Sequence, residues 1–292
     1  MAQRAARRQG NAPGPWFVDS ACIDCDVCRQ LAPGIFDEAG AGSVVARQPA
    51  DPLEKRRAFQ ALVACPVGAI GATGVQKPSA RVFPEEIDQG VYYCGFTSPD
   101  SFGAASFFVR RPEGNLLVDS PRWAGQLVRQ LERLGGISDV LLTHRDDVAA
   151  AARYQEHFGA RVWIHAADSQ AAPFATQLFA EGEPAAVLTL RPGLMAIPIP
   201  GHTRGSAAFL LEERFLFSGD SLHWSRRVQD LAASEDYCWY SWPKQIESLR
   251  RLCDFRFEWV LPGHGEWVQL PASEMRDRLR GLVERRGREV RV

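Results

Sequence analysis

A chain of 292 residues with 46% hydrophobic and 24% charged side chains has an ordinary globular composition, enough for one large domain or two smaller ones. The formal net charge of −1 excludes a global pull toward nucleic acid or an anionic membrane. No apolar run reaches the length of a bilayer span, so we expect no membrane-spanning helix and no membrane or nucleic-acid partner.

The chain opens with "MAQRAARRQGNAPGPW", which carries arginines, no acid and no apolar h-region. It does not read as a secretory signal, and residues 1–15 are expected to be a disordered tail, with a short transit remnant as the alternative. Residues 16–80 follow as a small Cys-bearing domain, closed by a Gly/Pro/Ser-rich seam over residues 71–90 with the boundary near 80. Cys22, Cys25 and Cys28 are tightly spaced, Cys65 precedes Pro66, and Cys94, Cys238 and Cys253 are scattered. An odd count with one tight cluster argues for a metal centre in a reduced, cytoplasmic compartment rather than a disulfide framework.

Residues 81–271 alternate strands and helices. Strands are predicted at "ASFFVRR", "GNLLVDS", "ISDVLLT", "ARVWIH", "LMAIPIP", "AAFLLEE", "RFLFSGD" and "EWVLPGH". Amphipathic helices are predicted at Trp123–Leu134, Asp147–Phe158 and Pro243–Leu252. Residues 272–292, with arginines interleaved with acids, read as a surface helix whose charges form a solvated face.

"CIDCDVC" and the later "CPVGAI" form a C-x2-C-x2-C…C-P arrangement. Four thiolates, the fourth from a separate loop fixed by Pro66, suit one [4Fe–4S] cluster held by Cys22, Cys25, Cys28 and Cys65; a structural zinc site is the bland alternative. The arrangement resembles a bacterial-type ferredoxin domain over residues 16–75, with a single full ligand set. Whether the cluster is redox-active or structural stays open.

In the larger part His144, His202, Asp220 and His264 each stand just past an apolar strand, within "LLTHRDD", "IPIPGHTRGS", "FLFSGDSL" and "WVLPGHGE". Rigid strand ends converging on one rim can hold ligands without loop mobility. This set, in this order, resembles the metallo-β-lactamase superfamily over residues 88–270. The resemblance implies an α+β chain: a small ferredoxin-like domain, then an αββα four-layer sandwich with a metal site along one edge.

The opening motif departs from the family pattern His-x-His-x-Asp-His. His144 is kept, Asp146 replaces the second His, and the second-metal pair falls on Val148 and Ala149, or on Ala150 and Ala151 if gapped. The usual dinuclear zinc site is therefore not expected. His144, His202 and Asp220 remain, and two His with one carboxylate suit non-haem iron. The iron-dependent sulfur dioxygenases and flavodiiron proteins of the superfamily resemble this pattern, the latter in the carboxylate at Asp146. The expectation is one or two Fe, alternatively Zn, with Asp146 either a ligand or a cap of the following helix. His264 is read as a weak second-ion ligand, an acid or base, or a substrate contact, and His223 as close enough to reach the site. His165 reads as a core or turn residue and His157 as exposed; Cys94 and Cys238 read as packing. The aromatic stretch 221–245 either roofs the site or packs elsewhere.

Three functions follow. The first is an iron-dependent oxidoreductase acting on a small molecule, its cluster fed by an electron-transfer protein. The second is a zinc hydrolase of glyoxalase or thioesterase type. The third is a non-catalytic redox or iron sensor, motivated by the alanines at 149–152.

Overall fold

The helix Pro52–Ala64 of the Cys-bearing segment shows how tightly local sequence sets this fold. Asp51 caps it by accepting from the Glu54 amide at 2.8 Å, and Pro52 opens the first turn. The computed structural model describes residues 2–76, 81–179 and 186–289. The chain divides into two compact units, Met1–Asn115 with Ser120–Ile137, and Leu116–Asp119 with Ser138–Val292.

The first unit begins with β1 (Trp16–Val18), α1 (Val27–Leu31), β2 (Phe36–Glu38), β3 (Ser43–Val45), α2 (Pro52–Ala64) and β4 (Ile70–Ala72). Strands β1 and β4 pair antiparallel, as do β2 and β3. Phe59 of α2 meets Trp16 edge-on at 4.8 Å, so the helix closes over the strand pair through aromatic packing. Antiparallel strands β5 (Glu85–Asp88), β6 (Val91–Tyr93) and β7 (Phe107–Val109) follow, and α3 (Gly125–Arg133) buries Leu127, Val128 and Leu131. Residues of the expected disordered tail are instead bonded into the unit, the first through the Gln3 amide, which donates to the Asp19 carboxylate at 2.7 Å. The Arg8 amide donates to the Val18 carbonyl, and the Asn11 side chain accepts from the Val18 and Val45 amides at 2.9 Å each. One asparagine thus satisfies two strand amides, which composition alone does not reveal.

The second unit has a parallel ladder in the order β8 (Leu116–Val118), β9 (Asp139–Leu141), β10 (Arg161–His165), β11 (Gln177–Phe179). Helix α4 (Ala151–Phe158) runs between β9 and β10 in sequence, as a parallel crossover requires. A second sheet contains β12 (Leu188–Arg191), β13 (Leu194–Pro198), β14 (Ala207–Leu211), β15 (Phe215–Gly219), β18 (Trp259–Pro262) and β19 (Val268–Gln269), in that order. Between β15 and β18 lie the small pair β16 (His223–Ser225) and β17 (Asp230–Ala232) and helix α5 (Trp242–Leu252). With the helical layers this is the mixed-sheet αββα sandwich expected from the sequence.

Helix α6 (Ala272–Glu289) corrects one expectation. It is not only a solvated face: Met275, Leu279, Leu282 and Val283 are buried in a core shared with Ile246 and Leu249 of α5 and Leu210 and Val260 of the sheet. Their helical spacing makes a full apolar stripe that the surrounding arginines mask. Helix α4 also starts later than predicted, at Ala151, with Ala150 as its N-cap. Neither Asp146 nor Asp147 caps it; both lie in a short 3-10 turn, Arg145–Asp147. Among the described residues no helix is long and apolar enough to cross a membrane.

Candidate metal centre

The candidate metal-site residues of the second unit all follow strand ends. His144 comes after β9, His202 after β13, Asp220 directly after β15 and His264 after β18. One close approach makes this possible. At Gly219, with φ +50°, a Cβ would stand 2.7 Å from Thr143 Oγ1, so only glycine lets β15 deliver Asp220 beside the His144 turn.

His144, His202 and Asp220 form one cluster, with one ligand atom from each within 4.8 Å of the others. Asp220 Oδ2 is 3.6 Å from Nε2 of His144 and 3.6 Å from Nε2 of His202. The two rings stand edge to face at 4.7 Å. Asp146 Oδ2 lies 3.4 Å from His202 Nε2 and 3.8 Å from His144 Nε2, and His264 Nε2 lies 3.9 Å from Asp220 Oδ2. The structure therefore gathers all five residues singled out in the sequence. His223 stands against the same edge: a Cβ at Gly265, next to His264, would be 2.6 Å from its ring.

The outer bonds of the two buried imidazoles fix which nitrogen faces the cluster. His202 Nδ1 donates to the Tyr237 carbonyl at 2.6 Å. His144 Nδ1 is 3.0 Å from Thr143 Oγ1, which bonds the Asp119 carboxylate at 3.0 and 2.9 Å. With Nδ1 engaged, each ring presents Nε2 as a lone pair, and both Nε2 atoms and Asp220 Oδ1 are buried without a hydrogen-bond partner. Orphaned buried acceptors pointing at one another need a cation, and this donor set fits a divalent metal with open positions.

The charge balance agrees. Burial pushes the Asp119 carboxyl up to about 7, and burial together with the Asp220 charge raises Asp147 well above the usual carboxylate range. Burial opposes charge on His144, yet Asp147 and Asp220 hold its ring up at about 10, so a proton sits on Nε2 until a metal displaces it and takes the lone pair. Burial likewise opposes the Asp220 carboxylate, while His264 and His144 keep it far below its ordinary value. Carboxylates crowded in one dry corner favour a bound positive charge.

Sequence reasoning missed three supports. Asp119 directly follows β8 as the candidate ligands follow their strands, so its signal was present in "GNLLVDS". Asp168 gave none: its carboxylate accepts from the Arg145 amide, Thr203 Oγ1 and the Gly205 amide at 3.0, 2.6 and 3.0 Å. It thereby ties the His144 turn to the His202 turn. The third is the Tyr237 carbonyl, a backbone group. His165 is buried at the end of β10 and caps the 3-10 turn that follows, its Nδ1 accepting from the Ala167 amide, and His157 is exposed on α4.

In the first unit Cys22, Cys25, Cys28 and Cys65 line one pocket with Val18, Ile70 and other apolar groups. Asp24 and Asp26 take left-handed φ values of 60° and 65°, which wrap the short loop, and Arg29 bonds both carboxylates. The Ser43 amide donates to Cys22 Sγ at 3.4 Å and the Ala69 amide to Cys65 Sγ at 3.2 Å. Burial pushes the Cys25 and Cys28 thiols up to about 12. Thiolates there need metal charge to form, and donated amides favour them.

Comparison with known proteins places both parts. Residues 18–72 match the 4Fe-4S single cluster domain of Ferredoxin I, and residues 91–285 match the metallo-beta-lactamase superfamily. The chain is 36% identical over 109 residues to a hydroxyacylglutathione hydrolase of Fuscovulum blasticum, covering 36% of this chain and 42% of that one. It is 38% identical over 113 residues to one of Cereibacter sphaeroides, with the same coverage. These matches span about two fifths of the relatives' length, 42% in each case. Among solved structures, the metallo-β-lactamase FIM-1 from Pseudomonas aeruginosa in its mono-zinc form aligns with TM-score 0.51 and 19% identity, over 68% of this chain and 93% of that one. TMB-1 aligns with TM-score 0.51 and 18% identity, over 70% and 97%. The fold, the ordered strand-end ligands and the family match over residues 91–285 make this chain a member of the metallo-beta-lactamase superfamily, carrying a ferredoxin-like domain at its N-terminal end.

Proposed function

We propose that the protein is a metal-dependent hydrolase of thioesters, working with one metal ion held by His144, His202 and Asp220 and flanked by Asp146. The observation that carries this is the pair of buried, partnerless Nε2 atoms facing Asp220, in a chain whose second-metal positions are Val148 and Ala149. Similarity to hydroxyacylglutathione hydrolases supports the substrate class. When bound, the metal supplies Lewis-acid polarisation of an acyl carbonyl and acidifies water. Water oxygen bonds to the acyl carbon, the C–S bond breaks, and the products are a carboxylic acid and a thiol. His264, at the open side of Asp220, takes and returns the proton, and His223 lines its approach. Asp119 and Thr143 hold the tautomer of His144, and the Tyr237 carbonyl holds that of His202.

In the first unit Cys22, Cys25, Cys28 and Cys65 would hold one [4Fe–4S] cluster, which supplies one-electron transfer when bound. The functional boundary is assigned near residue 80, and free cysteines fit a reducing, cytoplasmic setting. A second reading, an iron-dependent oxidoreductase fed by an electron-transfer protein, is favoured by Asp146 beside His202 Nε2.

The test is anaerobic purification with iron, zinc and acid-labile sulfide measured per chain, followed by assay with a hydroxyacylglutathione thioester. Iron equal to sulfide, one further zinc, and thioester turnover support the hydrolase. Iron exceeding sulfide, with no thioester turnover, transfers the argument to the oxidoreductase. Iron equal to sulfide with no other metal leaves the sensor reading.

A further inference from the structure

The segment 237–241 is a strap bound to a metal-ligand turn. The Trp239 amide donates to the His202 carbonyl at 2.9 Å, the Ser241 amide donates to the Gly201 carbonyl at 2.9 Å, and the Tyr240 amide reaches the His202 carbonyl at 3.1 Å. In return His202 donates its ring Nδ1 to the Tyr237 carbonyl. Cys238 Sγ bonds the Gly201 carbonyl at 3.1 Å. A segment pinned this way does not need its side chains for anchorage. Yet it displays two large aromatic rings to solvent, Tyr237 at 65% and Trp239 at 58% exposure. They stand edge to face at 6.4 Å, and the Trp239 ring is 6.1 Å from the His202 ring. Tyr240 differs, since the Lys244 ammonium lies over its face at 5.6 Å.

Exposed aromatic surface on a backbone pinned beside a metal site is suited to recognition, because rings bind flat apolar groups at low entropic cost. We propose that Tyr237 and Trp239 form an aromatic wall at the mouth of the metal centre that selects thioesters with flat, apolar acyl groups, aromatic acyl groups above all. This rests on the hydrolase reading and adds the acyl specificity. Because the wall and the His202 bond share one strap, substrate seated on Trp239 also steadies the ligand turn.

The test compares benzoyl and acetyl thioesters of N-acetylcysteamine as substrates, and benzoate and acetate as ligands measured by calorimetry on the protein as purified. The expected result is a benzoyl-to-acetyl ratio of kcat/KM that falls about fivefold in Trp239→Ala and in Tyr237→Ala, the latter keeping its backbone carbonyl. Trp239→Phe restores most of the ratio. Val228→Ser, an exposed residue of the same connection, leaves it unchanged. Benzoate binds about fivefold more tightly than acetate to the wild type, and the advantage disappears in Trp239→Ala. An unchanged ratio in both alanine variants, or equal binding of the two carboxylates, overturns the wall. If neither thioester turns over, the hydrolase reading fails, and the carboxylate titrations still decide the wall.

Discussion

Thr143 Oγ1 stands between His144 Nδ1, at 3.0 Å, and the buried Asp119 carboxylate, at 2.9 Å, so one hydroxyl passes the hold of an acid onto a metal-ligand ring. The hydroxyl donates to the carboxylate and accepts from the imidazole, leaving Nε2 to face Asp220. Thr143→Val keeps the shape and removes the relay. We expect metal affinity about 10- to 100-fold weaker, with unchanged circular dichroism. Competition against a chelator of known affinity measures it, and wild-type affinity in Thr143→Val would falsify the relay.

His264 is set apart from the buried pair: it is 3.9 Å from Asp220 and its side chain is 34% exposed, against 1% for His144. That position suits proton transfer better than metal retention. His264→Ala is expected to keep one tightly bound metal while kcat falls about 100-fold. His144→Ala is expected to lose the metal outright. Metal analysis after gel filtration, with kcat measured in parallel, separates the two roles; equal metal loss in both variants would make His264 a primary ligand.

The strand ends carrying these residues were legible because apolar runs such as "RFLFSGD" stop at a glycine followed by a polar side chain. Each of the runs predicted as strands contains one, from Phe107–Val109 to Trp259–Pro262. The short pair of His223–Ser225 with Asp230–Ala232 escaped notice, because half-exposed strands with arginines between them carry no clear alternation. The metal-site residues were legible because His144, His202, Asp220 and His264 follow apolar runs in an order that resembles the metallo-β-lactamase pattern; glycine adjoins the last three and not His144. Their supports were not. Asp168 lies in a 3-10 turn and reaches Thr203 and Gly205 only through the tertiary fold, and the Tyr237 carbonyl has no sequence signature at all. The same limit explains α6, whose buried stripe is interrupted by arginines that dominate its composition.

Glu54 gives a prediction in pH. Its carboxylate accepts from the Arg47 guanidinium and from the Ala50 amide at 2.8 Å, which holds its pKa at about 2 against an ordinary 4.5. A depressed carboxylate pKa means the unfolded chain binds more protons as the solution is acidified. The contribution is therefore fully present above pH 4.5 and is lost as pH falls through 2. Arg47 is exposed and Glu54 half-buried at the surface, so the effect is small and salt-sensitive. Urea midpoints of wild type and Glu54→Gln should differ at neutral pH and converge at the acid end. A gap that persists in strong acid would assign the effect to packing.

Cys65 and Cys238 are both unpaired thiols near backbone partners, and the fold assigns them opposite consequences. Cys65 follows α2, accepts from the Ala69 amide at 3.2 Å, and lines the pocket shared with Cys22, Cys25 and Cys28. Cys238 bonds the Gly201 carbonyl in the other unit. Under the proposed cluster assignment Cys65→Ser removes one of four thiolates, and a hydroxyl is a poor substitute in a pocket that already disfavours charge. We expect iron and acid-labile sulfide to fall together in Cys65→Ser, with the brown absorption lost and the metal at His144, His202 and Asp220 retained. Cys238→Ser should keep both cofactors, since its hydroxyl can make the same bond to Gly201. Sulfide at the wild-type level in Cys65→Ser would remove Cys65 from the proposed cluster, and sulfide loss in Cys238→Ser would make Cys238 a ligand of it.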